Sequence, residues 1–118
     1  PKPYKDDIPF LVGGHSKYAF KRAATLGNGW LPQQSALSIE PSKLIEPINL
    51  MKKEVLSLGK DPDKFKIILR INQSANSTDI IADNLNSLSE VGVNEIIVDI
   101  DWSKNAAMER TADVLLNL

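Results

Sequence analysis

The stretch "IPFLVGGHSKYAFKRAATLGNGW", residues 8–30, decides the fold class. Its apolar run over 8–12 is predicted to be a buried strand that ends at two glycines. Ser16 is a good helix N-cap, so Lys17–Leu26 is predicted to be a helix that Gly27 ends. A very short strand over 29–32 is expected next, and Pro32 should stop it. The stretch therefore predicts strand, helix and strand in succession.

The rest of the chain repeats this order after a polar loop predicted over 33–38. Apolar residues at spacings of three and four predict an amphipathic helix that begins at Ser77 or Thr78 and ends at Gly92. The remaining predicted elements are a helix over 41–58 that Pro47 kinks or restarts, a strand over 65–71, a strand over 95–100 and a last helix capped by Ser103.

Alternation of strands and helices, with near-continuous Val, Ile and Leu runs in two strands, is typical of an α/β fold whose parallel sheet is covered by helices. Four such βα units are predicted, and a (βα)8 TIM barrel needs eight strands. The pattern leaves two architectures open, a small open α/β sheet or half of a (βα)8 barrel. With 118 residues, a single domain over 1–118 is expected.

Composition excludes several classes of protein. A net charge of −1 is not the basic field that non-specific nucleic-acid binding requires, so no nucleic-acid partner is expected. No apolar run approaches the ~20 residues of a membrane helix, and no signal peptide is visible. The absence of cysteine rules out disulfides and zinc–thiolate sites. We expect a cytoplasmic protein with no membrane association and no metal site.

The candidate binding site is the corner between the first strand and the first helix. Ligands of parallel α/β sheets bind at the carboxyl ends of strands, where Gly13 and Gly14 lie. The helix that begins near Ser16 directs its free N–H groups to the same point, and His15 and Lys17 add donors or charge. These five residues predict an anion site, most plausibly for phosphate. A tight turn with an ordinary serine cap is the alternative.

Other side chains are weaker candidates, and no catalytic residue can be assigned. The single histidine, His15, is a possible base but more plausibly a ligand contact. Asp99 and Asp101 share a face near the last strand, where they would bind metal, act as bases or cap a helix. Arg70 is expected to pair with Asp99, and the alternative is that it assists in binding an anion. Trp30 is expected to pack in the core or an interface, and the alternative is that it stacks on a flavin ring.

Over essentially all of its 118 residues the chain resembles the C-terminal part of the luciferase-like monooxygenases, which are flavin- or deazaflavin-dependent TIM-barrel oxidoreductases. Asn28 departs from the pattern, because the family usually has Asp there. The likeness is strong over 8–32, more generic over 40–118, and closest to members that use coenzyme F-420. The matching residues are Pro9, Gly13, Gly14, Ser16, Ala19, Arg22, Ala23, Ala24, Gly27, Gly29 and Trp30.

This resemblance implies that the corner at Gly13, Gly14, His15 and Ser16 contacts the phosphate of FMN or coenzyme F-420. It also implies half of a (βα)8 barrel, because family members are more than twice as long. The missing half would come from a second copy in a homodimer or from a separate N-terminal half-barrel. The function implied is part of a flavin- or F-420-dependent oxidoreductase, and the chain is expected to be inactive alone. The alternative is a non-catalytic half-barrel remnant that serves as an assembly module or binds a phosphorylated small ligand.

Overall fold

The structure, a computed structural model, describes residues 10–100 together with residues 109, 111 and 112. Within these residues it is an α/β fold in which five strands alternate with three helices. In chain order the elements are β1 (Leu11–Gly13), α1 (Lys17–Leu26), β2 (Gly29–Leu31), β3 (Gln33–Ser35), α2 (Ser42–Ser57), β4 (Lys66–Asn72), α3 (Thr78–Glu90) and β5 (Glu95–Val98), with short 3-10 helices at Ala36–Ser38 and Pro62–Lys64.

Every strand pair in the sheet is parallel, as the sequence predicts. β1 pairs with β2, and β4 pairs with β5. Both β2 and β3 pair with β4, and they do so in one register, since Trp30 lies opposite Ile67 and Gln33 lies opposite Arg70. The five strands therefore fill four positions, and strands that neighbour each other in the sheet also follow each other in the chain.

The predicted polar loop over 33–38 is wrong, because β3 occupies its first half and a 3-10 helix its second. Pro32 was expected to stop the strand because it has no N–H to donate. Its carbonyl, however, accepts a hydrogen bond from the Arg70 amide at 2.9 Å. The hydrogen bonding with β4 thus continues at Pro32, and regular strand pairing begins again at Gln33.

The helices lie close to their predicted bounds. α1 spans the predicted residues, and Ser16 and Gly27 cap it. α2 continues through Pro47, so a restart there is wrong. The proline removes one helical hydrogen bond, but Leu44 and Ile48 on either side of it are buried and hold both parts of the helix against the core.

The remaining predictions differ by a few residues. α3 follows Ser77 and is followed by Val91 and Gly92, whose φ of +108° suits a helix end. β4 runs one residue later than predicted, and β5 ends at Val98. The predicted helix that begins at Ser103 lies outside the described residues, except that Glu109, Thr111 and Ala112 are helical.

The core lies on one face of the sheet, beneath the helices. β4 alternates between buried and less buried residues, as a strand with one covered face does. The helices pack their buried residues against the covered face of the sheet. The fully buried large side chains are Trp30, Ile67, Leu69 and Ile71 from the sheet, Leu44, Ile48, Met51 and Val55 from α2, and Ile81 and Leu88 from α3, with Pro32 between β2 and β3.

The other face of the sheet is only partly covered, and we call it the open face. It consists of Ile68, Arg70 and Asn72 of β4 together with the residues that lie opposite them in β3 and β5. Side chains on this face retain substantial exposure: the Arg70 side chain is 43% exposed and Ile97 is 43% exposed. The open face therefore presents both apolar and charged side chains beyond the helix-covered core.

Candidate functional site

Gly13 and Gly14 occupy the end of β1 but meet different constraints. Gly14 has a φ of +104°, a conformation that favours glycine, and a Cβ there would lie 2.9 Å from the Ala19 Cβ. Gly13 is an ordinary strand residue, and a Cβ on it would meet only the Leu31 carbonyl oxygen, at 3.6 Å. Gly14 therefore makes the turn, and Gly13 leaves the approach to the turn unobstructed.

Ser16 caps α1 as the sequence predicts. Its hydroxyl oxygen accepts a hydrogen bond from the Ala19 amide at 3.1 Å. Helix geometry gives the amides of Lys17 and Tyr18 no partner within the helix, and the hydrogen of the Ser16 hydroxyl is free to donate. Lys17 is exposed at the same helix end. The arrangement provides several donors and one positive charge at one point.

His15 faces the neighbouring strand. Its Nε2 accepts a hydrogen bond from the Gln33 amide at 3.1 Å, so a neutral His15 ring carries its proton on Nδ1. The ring also contacts Trp30 edge-on, with centroids 5.5 Å apart. These contacts fix the imidazole beside the Gly14 turn and leave Nδ1–H as its remaining donor.

Trp30 supports the turn from beneath. Its side chain is fully buried, and its Nε1–H donates to the Gly14 carbonyl at 2.8 Å. The Phe20 ring packs against it edge-on at 5.3 Å. The suggestion that Trp30 stacks on a cofactor ring is therefore wrong, because no face of its indole is accessible. The alternative prediction of a core role is confirmed.

A groove of about 540 Å³ opens beside the corner, between the start of α1 and the first turns of α2. His15, Lys17, Lys43 and Glu46 lie on its polar side, and Phe20 and Leu50 supply apolar walls. Lys43 is paired with Glu40 at 3.2 Å. The helix end thus adjoins a concave surface of mixed charge rather than flat solvent.

A second group of polar side chains lies on the open face, and we call it the Arg70 network. Arg70 donates from Nε to Asn72 Oδ1 at 3.1 Å and from one terminal nitrogen to Asp99 Oδ1 at 3.2 Å. Asn72 donates in turn to Gln33 Oε1 at 3.2 Å. The predicted pairing of Arg70 with Asp99 is confirmed.

Sequence reasoning missed Gln33 because it placed that residue in a loop. A signal was available: residues 29, 31, 33 and 35 alternate in strand period across Pro32, which would put Gln33 on the same face as Leu31. Gln33 connects the two polar regions, since its backbone amide bonds His15 and its side chain bonds Asn72. The corner and the Arg70 network are therefore neighbours.

The other candidates add little to this site. Asp101 and Trp102 lie outside the described residues. Within the described part of the chain no three carboxylate, histidine or cysteine side chains gather as metal ligands would. In the same part, no helix has the length and apolar character needed to cross a bilayer.

Comparison with protein-family models gives no match to this chain, and comparison with curated proteins gives none either. The site must therefore be interpreted from its own geometry.

Proposed function

We propose that this chain is the C-terminal half-barrel of a luciferase-like, flavin- or F-420-dependent oxidoreductase and that its corner binds the cofactor phosphate. The observation that supports this most is the meeting of the α1 N-terminus with the Gly14 turn. At that point the Lys17 and Tyr18 amides, the Ser16 hydroxyl and the Lys17 ammonium form a set of donors.

The donor set fits a phosphate. Two backbone amides and a hydroxyl converge at a helix end, as phosphate binding by helix N-termini requires. Gly13 adds no side chain that would crowd the approach. The cofactor, when bound, supplies the redox chemistry. The residues of this chain then hold its phosphate, and the His15 Nδ1–H offers a further donor beside it.

The half-barrel part of the proposal is supported by the order of the sheet. Neighbouring strands are consecutive in the chain and parallel, which is the order of a (βα)8 barrel. Phe10, Tyr18 and Leu26, near the β1 side, are 65%, 81% and 74% exposed. A completing half-barrel, from a second copy or from a separate chain segment, would cover such apolar surface.

Titration of the ¹⁵N-labelled chain with FMN, coenzyme F-420 and riboflavin tests the phosphate site. We expect the two phosphorylated cofactors to shift the amide signals of Gly14, Lys17 and Tyr18 and the indole N–H of Trp30. Riboflavin, which has the ring but no phosphate, should leave these signals in place. Inorganic phosphate at higher concentration should move the same amides.

Ser16→Asp is the decisive variant. Aspartate caps a helix as well as serine does, so α1 should remain folded, but its charge would repel phosphate. We expect cofactor affinity to fall by roughly tenfold or more. Ser77→Asp, the same change at the N-cap of α3, should leave affinity unchanged. Equal affinity in wild type and Ser16→Asp would refute the proposed site.

The alternative function, a non-catalytic module that binds a phosphorylated small ligand, predicts a different pattern. Inorganic phosphate would shift the corner amides in either case, but FMN and coenzyme F-420 would then bind no more tightly than phosphate itself. A ring contribution to affinity favours the oxidoreductase.

A further inference from the structure

The Arg70 network holds its guanidinium in one orientation. The Nε of Arg70 and one terminal nitrogen are engaged by Asn72 and Asp99, so the planar group is fixed by two hydrogen bonds along one edge. Among the described residues, no hydrogen bond is formed by the other terminal nitrogen. The Arg70 side chain lies on the open face and is 43% exposed.

Fixing one edge of an arginine prepares the other for a ligand. Two parallel N–H groups of a guanidinium match the two oxygens of a carboxylate. Because the orientation is already set, a ligand loses less side-chain entropy on binding there. The Gln33 side-chain amide lies beside Asn72 and provides a further donor at the same place.

The surroundings favour a monoanion with an apolar body. Asp99 balances the charge of Arg70, which makes the network a poor match for a doubly charged phosphate. On the same face Ile97 lies opposite Arg70 and is 43% exposed, and Ile68 lies two residues before Arg70, with the exposed Glu95 opposite it at the amino end of β5. A carboxylate at Arg70 would place its apolar part over Ile97 and Ile68.

We propose that the Arg70 network is a binding site for a small carboxylate with an apolar body. Arg70 binds the carboxylate through its two terminal nitrogens, Gln33 donates to one oxygen, and Ile68 and Ile97 contact the apolar part. The site lies in the carboxyl half of the strands, and Gln33 connects it to the corner. A second ligand bound there would lie next to a group held at the corner. The binding itself does not depend on the corner holding phosphate.

Benzoate is the probe, and benzamide is its neutral counterpart of the same shape. In the ¹⁵N-labelled 118-residue chain, benzoate should shift the Arg70 Nε–Hε signal saturably and also shift the side-chain amides of Gln33 and Asn72. The Arg22 signal, from an exposed arginine of α1, serves as the control within the same spectrum. Benzamide should leave all of these signals unmoved.

Two variants at the network, with a matched control, sharpen the test. Arg70→Lys keeps the charge but loses the fork, and should weaken benzoate binding at least roughly tenfold, whereas Arg22→Lys should have no effect. Asp99→Asn retains an acceptor for Arg70 and removes a competing charge, so it should strengthen benzoate binding several-fold. A merely structural ion pair would give no such gain.

The proposal is overturned if Arg70 moves no more than Arg22, or if benzamide produces the same shifts as benzoate. Unchanged affinity in Asp99→Asn also overturns it. Ser16→Asp separates this result from the corner, because that variant should lose cofactor binding while benzoate binding at Arg70 stays at the wild-type level.

Discussion

At the level of single residues, Gly14 and Gly13 are adjacent but should respond differently to substitution. Gly14→Ala puts a side chain at a φ of +104° and within 2.9 Å of the Ala19 Cβ. We expect it to lower the free energy of unfolding by about 2 kcal/mol. Gly13→Ala, with its nearest neighbour at 3.6 Å, should cost less than about 1 kcal/mol. Urea denaturation of both variants measures this, and equal losses would contradict the assignment of the turn to Gly14.

Trp30 provides a second prediction at this scale. Trp30→Phe removes the hydrogen bond from Nε1 to the Gly14 carbonyl and shrinks a fully buried side chain. We expect a loss of about 1–3 kcal/mol in the free energy of unfolding. Tyr18→Phe, an aromatic change at a side chain that is 81% exposed, is the control and should be close to neutral. A neutral Trp30→Phe would show that the indole does not support the turn.

At the level of elements, the cap of α1 can be tested against that of α3. Ser16 accepts from the Ala19 amide, whereas the Ser77 side chain makes no capping bond to its helix and donates to the Gln73 carbonyl at 3.4 Å. Ser16→Ala should therefore lower the free energy of unfolding by about 1 kcal/mol. Ser77→Ala should lower it by less than half as much. Thermal unfolding of the two variants compares them directly, and the reverse order would contradict the cap assignment.

The continuity of β2 and β3 also belongs to this scale. The Arg70 amide donates to the Pro32 carbonyl, so it should exchange its hydrogen slowly in deuterium oxide. If residues 32–35 were a polar loop, that amide would exchange at a rate close to those of the exposed amides at the start of α2. Residue-resolved hydrogen exchange distinguishes the two arrangements.

Helix α1 and strand β3 show what the sequence can and cannot predict. α1 was predicted to the residue because its signals are local: a serine cap, a helical run and a glycine after it. β3 was not, because Pro32 is a local stop signal and the interaction that overrides it comes from β4, far along the chain. Pairing with a strand distant in the chain makes residues 33–35 a strand rather than a loop. Gln33, the residue that links the corner to the Arg70 network, was missed for the same reason.

For the whole molecule, the α/β class and the parallel sheet could be predicted, because alternating strand and helix patterns leave few other arrangements. The residues that form the corner could be predicted because the end of a strand and the start of the next helix are adjacent in the chain. The proposed partner beyond β1 and β5 could not be predicted from local signals. The exposed apolar side chains near β1 are the physical basis for expecting one.

The proposed second copy gives the last prediction. A two-fold axis parallel to the strands would place β5 of one copy beside β1 of the other with the same direction. Both edges of the sheet that the described residues form would then be paired, and eight strand positions would be completed. Sedimentation equilibrium of the chain should then give twice the 13.0 kDa mass of one copy.

Leu26, 74% exposed at the end of α1, lies beside an apolar groove of about 350 Å³ near the β1 side of the sheet. Leu26→Glu should raise the dimer dissociation constant by roughly tenfold or more, because a charge would be buried in the contact. Leu56→Glu makes the same change near the end of α2, at a side chain 64% exposed, and should leave association unaffected. A monomer at millimolar concentration would exclude closure by a second copy.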